Sequence, residues 1–294
     1  MSLAADDGRS EFVFTPGTAP RSGRGFNLIA GSAVIALLVV LGLFGDRIAP
    51  YDAEEMHFKD IKSGPTRAFS LGTDRYGRDV LSRVIVGTRT TLLMGTAATS
   101  LALLVGVLLG TFSAYYGGFV DNLLMRIVDI FISFPALILS MLVIGVLGPG
   151  VMNGIITIAI IFFPGIARVV RSATLNVVNL EYVDAAKILG ESPLHIVFRE
   201  ILPNIYPTVI VEGAIRLGYA ILLTASLGYI GLGPPPPDPD WGTMASEERG
   251  YMLQNPWPVF APSLAIVGSV IGVNLFGDGL RRLLMARTGS SRGK

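Results

Sequence analysis

Residues able to do covalent or metal chemistry are sparse in this 294-residue chain. Cysteine is absent, which excludes disulfides, thiolate metal sites and cysteine nucleophiles. The two histidines, His57 and His195, are far apart in sequence, so no histidine metal site is expected. The four lysines are Lys59, Lys62, Lys187 and Lys294. None stands in the Gly-Lys-Ser/Thr setting whose backbone N–H groups and lysine cradle phosphates; Lys62-Ser63 follows Ile61. The chain is expected to hold no catalytic residue, no metal and no cofactor of its own.

One charged pair does stand out. Thr208 to Leu232 is apolar except for Glu212 and Arg216, four residues apart and so on one helix face. Charge in such a stretch is costly and marks function more often than not. Two readings are open: a structural ion pair near one end of the helix, or a pair lining a path or gate through it.

The surroundings of that pair are a lipid environment. The chain is 51% hydrophobic and 15% charged, with mean hydropathy +0.59, whereas a soluble domain usually carries about 25% charged residues. A net charge of +1 gives no field for nucleic acid. A bilayer core of about 30 Å needs about 20 apolar helical residues. Gly25–Gly45, Thr90–Val120 and Ile130–Ala167 carry no charge, and Gly148-Pro149-Gly150 divides the last into two. Six helices are predicted, at about 27–46, 91–115, 129–147, 151–169, 207–230 and 258–278. The first is too long an apolar run for a secretory signal core and reads as an uncleaved anchor. Residues 1–26 read as a disordered tail, 27–90 as the anchor plus an outer loop, 91–282 as the transmembrane core, and 283–294 as a second tail.

An even number of spans puts both termini on one side. Lys plus Arg number 13 on the side of the termini against nine in the other loops, so the termini are expected in the cytoplasm.

The loop EYVDAAKILGESPLHIVFREILPN, Glu181 to Asn204, then faces the cytoplasm. Tyr182, Ala185, Ala186 and Leu189 share one helix face, as do Leu194, Val197, Phe198 and Ile201. Gly190 stops the first helix. Ser192 can cap the second, Pro193 suits its first turn, and Pro203 is expected to end it. Spacing alone also fits an interfacial helix pair. Earlier, Leu71 to Gly95 reads LGTDRYGRDVLSRVIVGTRTTLLMG, with i,i+4 pairs Asp74–Arg78 and Asp79–Arg83, and fits an interfacial helix with snorkelling arginines. The loop after Leu232 carries four prolines suited to a stiff polyproline arm, with Trp241, Tyr251 and Trp257 as aromatic anchors.

These segments resemble those of one family. Ala185, Ala186, Gly190, Leu202 and Pro203 resemble the EAA loop of ABC importer permeases; Asp184 stands where glutamate is usual, and Glu200 where peptide permeases often carry histidine. Leu71–Gly95, the LGxGPPxPxWG pattern of Leu232–Gly242 and NLFGDGLRR at Asn274–Arg282 are similar to the dipeptide, oligopeptide and nickel permeases, without the usual Asp-Pro-Arg that follows. The resemblance covers about residues 27–282.

It implies an all-α fold of six transmembrane helices of the type I importer kind. The implied partners are a second homologous permease, two cytoplasmic ATPases that hold ATP and Mg, an external solute-binding protein and the bilayer, with no nucleic acid. Glu181, Tyr182, Asp184, Ala185, Ala186, Gly190, Ser192, Pro193, Leu202 and Pro203 would couple to the ATPase; for Glu212 and Arg216 the structural pair and the path or gate both stay open. Asp238, Asp240, Trp241, Glu247 and Glu248 would meet the binding protein. The solute expected is a dipeptide or oligopeptide, the alternative nickel or another small solute. A secondary transporter would want more intramembrane acids and internal repeats. A channel would lack the coupling loop.

Overall fold

A computed structural model describes residues 26–235 and 237–291. Its helices are α1 (Phe26–Ile48), α2 (Val80–Tyr116), α3 (Gly118–Ile132), α4 (Ala136–Leu147), α5 (Val151–Val178), α6 (Glu181–Ile188), α7 (Pro193–His195), α8 (Leu202–Tyr229), α9 (Trp241–Glu248) and α10 (Trp257–Ser291). A π turn, Ile196–Ile201, joins α7 to α8, and a 3-10 turn, Arg249–Tyr251, follows α9. No strand occurs among the described residues, only an isolated bridge between Thr73 and Asp79. The all-α expectation holds.

Five helical stretches are long and apolar enough to cross a bilayer, and the α3–α4 pair, bent by 92°, makes up to six. The bend corrects the straight helix expected at 129–147. Pro135 supplies the cause: it lacks an N–H, and its ring keeps the preceding residue out of helical geometry. The turn at Gly148-Pro149-Gly150 lies where expected, with φ of 84° at Gly148 and 146° at Gly150.

α2 starts eleven residues before the expected 91. Asp79 caps it, accepting from Ser82 N at 2.8 Å and Ser82 Oγ at 2.6 Å. With its carboxylate so used, Asp79 does not pair with Arg83, which lies 3.7 Å from Asp74 instead. Nor do the arginines snorkel: Arg78 and Arg83 are 6% and 4% exposed. At the other end, α10 runs on to Ser291, so no separate tail begins at 283 among the described residues. The expected N-terminal tail lies outside them up to residue 25.

α2 against α5 is the principal contact of the bundle, with α8 and α10 closing on it and α1 lying along α10. Gly106 and Gly110 set the α2–α5 distance. A Cβ on Gly106 would stand 2.9 Å from Phe163 O, and one on Gly110 2.5 Å from Ala167 O. Two small residues four apart let backbones touch in a solvent where no hydrophobic force draws helices together. Ala98, Ala102, Ile158, Ile166 and Val170 fill the core around this crossing.

Candidate functional site

The loop between α5 and α8 is built as two caps around one glycine. Gly190 has φ +79°; its N–H donates to Lys187 O at 3.1 Å, and Glu191 N donates to Ala186 O at 3.2 Å. These are the two bonds of a Schellman stop. Ser192 Oγ then accepts from His195 N at 3.3 Å, with Pro193 in the first turn. Pro203 does not end the second helix. The π turn ahead of it carries the chain straight into α8, and Pro203 is the second residue of that helix, just past the turn. Span five therefore begins near Leu202, not 207.

The inward residues of this loop are Val183, Ala186, Ile196, Val197 and Ile201. Tyr182, Ala185, Leu189, Leu194 and Phe198 face outward, although their spacing made them an apolar face. Around Gly190 they form an exposed apolar knob, with Ile188 86% and Leu189 80% exposed. Glu181, Asp184 and Pro203 are exposed beside it, and Leu202 is half-buried. Burial pushes the Tyr182 phenol up, and the Glu200 carboxylate adds to the effect. His195 Nε2 lies 3.3 Å from Glu191 Oε2, and Glu200 completes a group whose ligand-type atoms lie within 4.8 Å of one another.

Glu212 and Arg216 pair as expected, with Arg216 Nε donating to Glu212 Oε1 at 2.6 Å. The guanidinium lies over the Phe162 ring, 5.8 Å from its centroid, and fills the notch left at Gly165, where a Cβ would stand 2.7 Å from Nη2. Gly165 is the fifteenth of the 28 residues of α5. On α8, Arg216 lies about 21 Å along the axis from Leu202. The pair thus lies midway along both helices.

Below it a groove of about 580 Å³ runs between the last half of α5 and the first half of α8. Arg168, Ser172 and Asn176 line it from α5, and Asn204 and Thr208 from α8, each set spaced by four residues. Glu212 and Arg216 continue the α8 row. Sequence reasoning missed this stripe, although polar residues at i, i+4 and i+8 on two facing spans were its signal. Arg168 Nη2 donates to Asp129 Oδ1 of α3 at 2.6 Å. Arg171 Nε donates to Asp121 Oδ1, also of α3, at 2.6 Å.

At the opposite end of the bundle the two long loops, before α2 and between α8 and α10, are clasped. Arg78 pairs with Asp74 at 2.7 Å and approaches Glu247 to 3.5 Å, while Arg75 reaches Glu247 at 3.2 Å. Asn255 Nδ2 donates to Ser63 O at 2.9 Å. Trp241 is buried, and its indole N–H donates to Val84 O at 2.9 Å. Asp240 caps α9, accepting from Thr243 N at 3.0 Å, and Thr91 Oγ1 donates to it at 3.2 Å.

Comparison with known proteins gives this arrangement its frame. Residues 106–290 match the family described as binding-protein-dependent transport system inner membrane component. The chain belongs to this family. It is 37% identical to the glutathione transport system permease protein GsiD of Pectobacterium atrosepticum, over 87% of this chain and 85% of that protein. It is 39% identical to the di/tripeptide transport system permease protein DppC of Pseudomonas aeruginosa, over 87% and 86%. It is 37% identical to the probable D,D-dipeptide transport system permease protein DdpC of Escherichia coli, over 90% and 89%. Its fold is similar to a solved chain of the inward-facing MetNI methionine ABC transporter, with TM-score 0.56 and 24% identity over 68% of this chain and 95% of that one.

This permease is an inner-membrane component of a binding-protein-dependent transport system, a transport subunit and not an enzyme. Its fold brings Glu212 and Arg216 together and sets the two short helices of the loop on either side of Gly190. It disperses the group expected to meet a binding protein. Asp240, Trp241 and Glu248 are 0%, 1% and 4% exposed, and each is held by bonds or packing within the chain. They fasten the loop between α8 and α10 and offer no surface to a partner, which corrects their expected role. Asp238 is exposed and Glu247 half-buried.

Proposed function

We propose that this permease forms one half of the membrane pathway of a dipeptide or oligopeptide importer. Three relatives of high coverage are permeases for glutathione, di/tripeptides and D,D-dipeptides. The second half is a homologous permease, since one bundle with an open groove encloses no channel. Two cytoplasmic ATPases bind ATP and Mg, and an external binding protein delivers the solute, meeting this chain at surfaces that include Asp238 and Glu247. The termini lie in the cytoplasm. Solute passes by alternating access along the α5–α8 groove, with Glu212 and Arg216 at its mid-membrane end.

The apolar knob at Gly190 carries this reading. It exposes Ile188, Leu189, Leu194 and Phe198 at the tip of a loop stiffened by a Schellman stop and a serine cap. Water gives such a tip nothing, and a groove in an ATPase gives it burial of apolar surface. Glu181, Tyr182, Asp184, Ala185 and Ala186 form its first helix, and Ser192, Pro193, Leu202 and Pro203 frame its second.

Gly190→Val tests the coupling. The residue has open space around it but a positive φ that costs a β-branched residue about 1–3 kcal/mol. The complex should insert and assemble yet lose solute-stimulated ATP hydrolysis; normal stimulation would refute the role. For orientation, Ser246→Cys should react with a membrane-impermeant thiol reagent on intact cells and Ser192→Cys should not. Uptake of labelled dialanine by the complete system tests the solute, and accumulation of nickel without competition from peptides would refute it.

A further inference from the structure

The polar side chains of the α5–α8 groove have too few partners. Ser172, Asn176 and Thr208 make no hydrogen bond with the described residues, and Ser172 and Asn176 are exposed. Several serines in the spans return to the carbonyl one turn earlier, Ser100 to Thr96, Ser226 to Leu222, Ser263 to Val259 and Ser269 to Ala265; Thr99, Thr111, Thr174 and Thr224 have no partner either but are buried inside the bundle, whereas Ser172 and Asn176 are exposed on the groove. A polar group in a span with no partner of its own is costly against lipid. Three of them facing one groove mark a surface that meets water or a polar solute.

Charge in the groove is both present and balanced. Arg168 is 50% exposed and gives Asp129 a single bond through Nη2, leaving the other guanidinium donors free. One turn up α5, at Gly165, lies the guanidinium of Arg216, bonded to Glu212 through Nε alone. Two guanidinium groups about one helical turn apart thus have spare donors, Arg168 lining the groove and Arg216 packed at Gly165 above it, and each positive charge is offset by a carboxylate already in place. A net anionic ligand gains little there. A ligand that is neutral overall, yet ends in a carboxylate, gains bidentate N–H donors without adding uncompensated charge to a mid-membrane site.

We infer that this groove is a transient site for the terminal carboxylate of a zwitterionic solute, held by Arg168 with Arg216 one turn above. The inference rests on the reading of the groove as the solute path and names the chemistry by which the path recognises its cargo. Ser172 and Asn176 supply the neutral polar contacts beside the carboxylate. The site is meant to be weak, because a solute must also leave.

The absence of cysteine makes the site addressable. The assembled complex, its other subunits made cysteine-free, would carry Ser172→Cys and be labelled without binding protein by a small methanethiosulfonate. Millimolar dialanine should slow labelling about threefold, as occupancy of a weak site requires. Dialanine C-terminal amide, lacking the carboxylate, should leave the rate unchanged. Adding Arg168→Gln should abolish protection by dialanine, with labelling in the absence of dialanine as the reference rate. Equal protection by the amide, or protection that survives Arg168→Gln, would overturn the inference. So would a thiol that reacts freely but is never protected, or one that never reacts because another subunit fills the groove. Dialanine uptake by the unaltered system separates the two levels: uptake without protection removes the carboxylate site alone, and lack of uptake removes the peptide-importer reading.

Discussion

Arg75, in the loop between α1 and α2, binds Glu248 of α9 across 173 positions of sequence. Its backbone N–H donates to Glu248 Oε1 at 3.2 Å while its guanidinium reaches Glu247 at 3.2 Å. Arg78 and Arg83 stand behind it around Asp74. Arg75→Ala should loosen α9 without unfolding the bundle. A pair broken in full burial costs about 3–5 kcal/mol; Arg75 is 32% exposed, so about 1–2 kcal/mol is expected. Labelling of a buried Met244→Cys should then rise about 5- to 30-fold, and an unchanged rate would show that the clasp bears no strain on α9.

The same helix should respond to pH in an unusual direction. Burial raises the Glu248 carboxyl above its ordinary range, against the opposing hydrogen bond from the Arg75 N–H, and burial likewise raises Asp240. A raised carboxyl binds its proton more tightly folded than unfolded, so stability falls as pH climbs from about 4.3 through the raised value. The cost is present at neutral pH and relieved on mild acidification. Hydrogen exchange of α9 amides, corrected for intrinsic rate, should be slower near pH 5 than near pH 8, and Glu248→Gln should flatten the difference. Faster exchange in acid would mean that the ion pair with Arg75 outweighs burial.

Gly110→Ala should cost the bundle more than its one methyl suggests. The added Cβ meets Ala167 O at 2.5 Å and Arg171 N at 2.9 Å, both backbone atoms that cannot step aside. About 1–3 kcal/mol of overpacking is expected, read as a lower Tm of the purified complex. Gly145→Ala meets nothing within 4 Å and should leave the Tm unchanged.

Glu212 and Arg216 invite a double-mutant cycle. Glu212 is 8% exposed, so Arg216→Leu leaves a carboxylate with little water; each single leucine substitution should lower assembly by about 2–4 kcal/mol, and the double substitution should restore much of it. Transport in the double variant then separates the roles. A stable complex that hydrolyses ATP but moves no solute places the pair in the path, and restored transport makes it structural. Single variants as stable as the parent would show both charges already solvated.

Much of this chain was legible from composition and spacing. The apolar runs marked five spanning helices, because about 20 apolar residues in water have few alternatives to a membrane; the sixth run proved to be the bent α3–α4 pair. Gly148-Pro149-Gly150 and Gly190 marked turns through local backbone chemistry, which depends on neighbours in sequence alone. The Glu212–Arg216 pair was readable because one helical turn joins them. Tertiary structure decided what distance in sequence hides. Asp79 chose a helix cap over Arg83, and Arg83 then turned to Asp74, because burial makes the first unsatisfied N–H groups of α2 more demanding than a surface pair. Asp240, Trp241 and Glu248 looked like loop surface and proved to be its fastening, since burial arises from packing against α2 and the loop between α1 and α2. The facing rows Arg168–Ser172–Asn176 and Asn204–Thr208–Glu212 were each visible as an i,i+4 pattern. Only the packing of α5 on α8 made them one groove, because a helix face acquires meaning from what lies across from it.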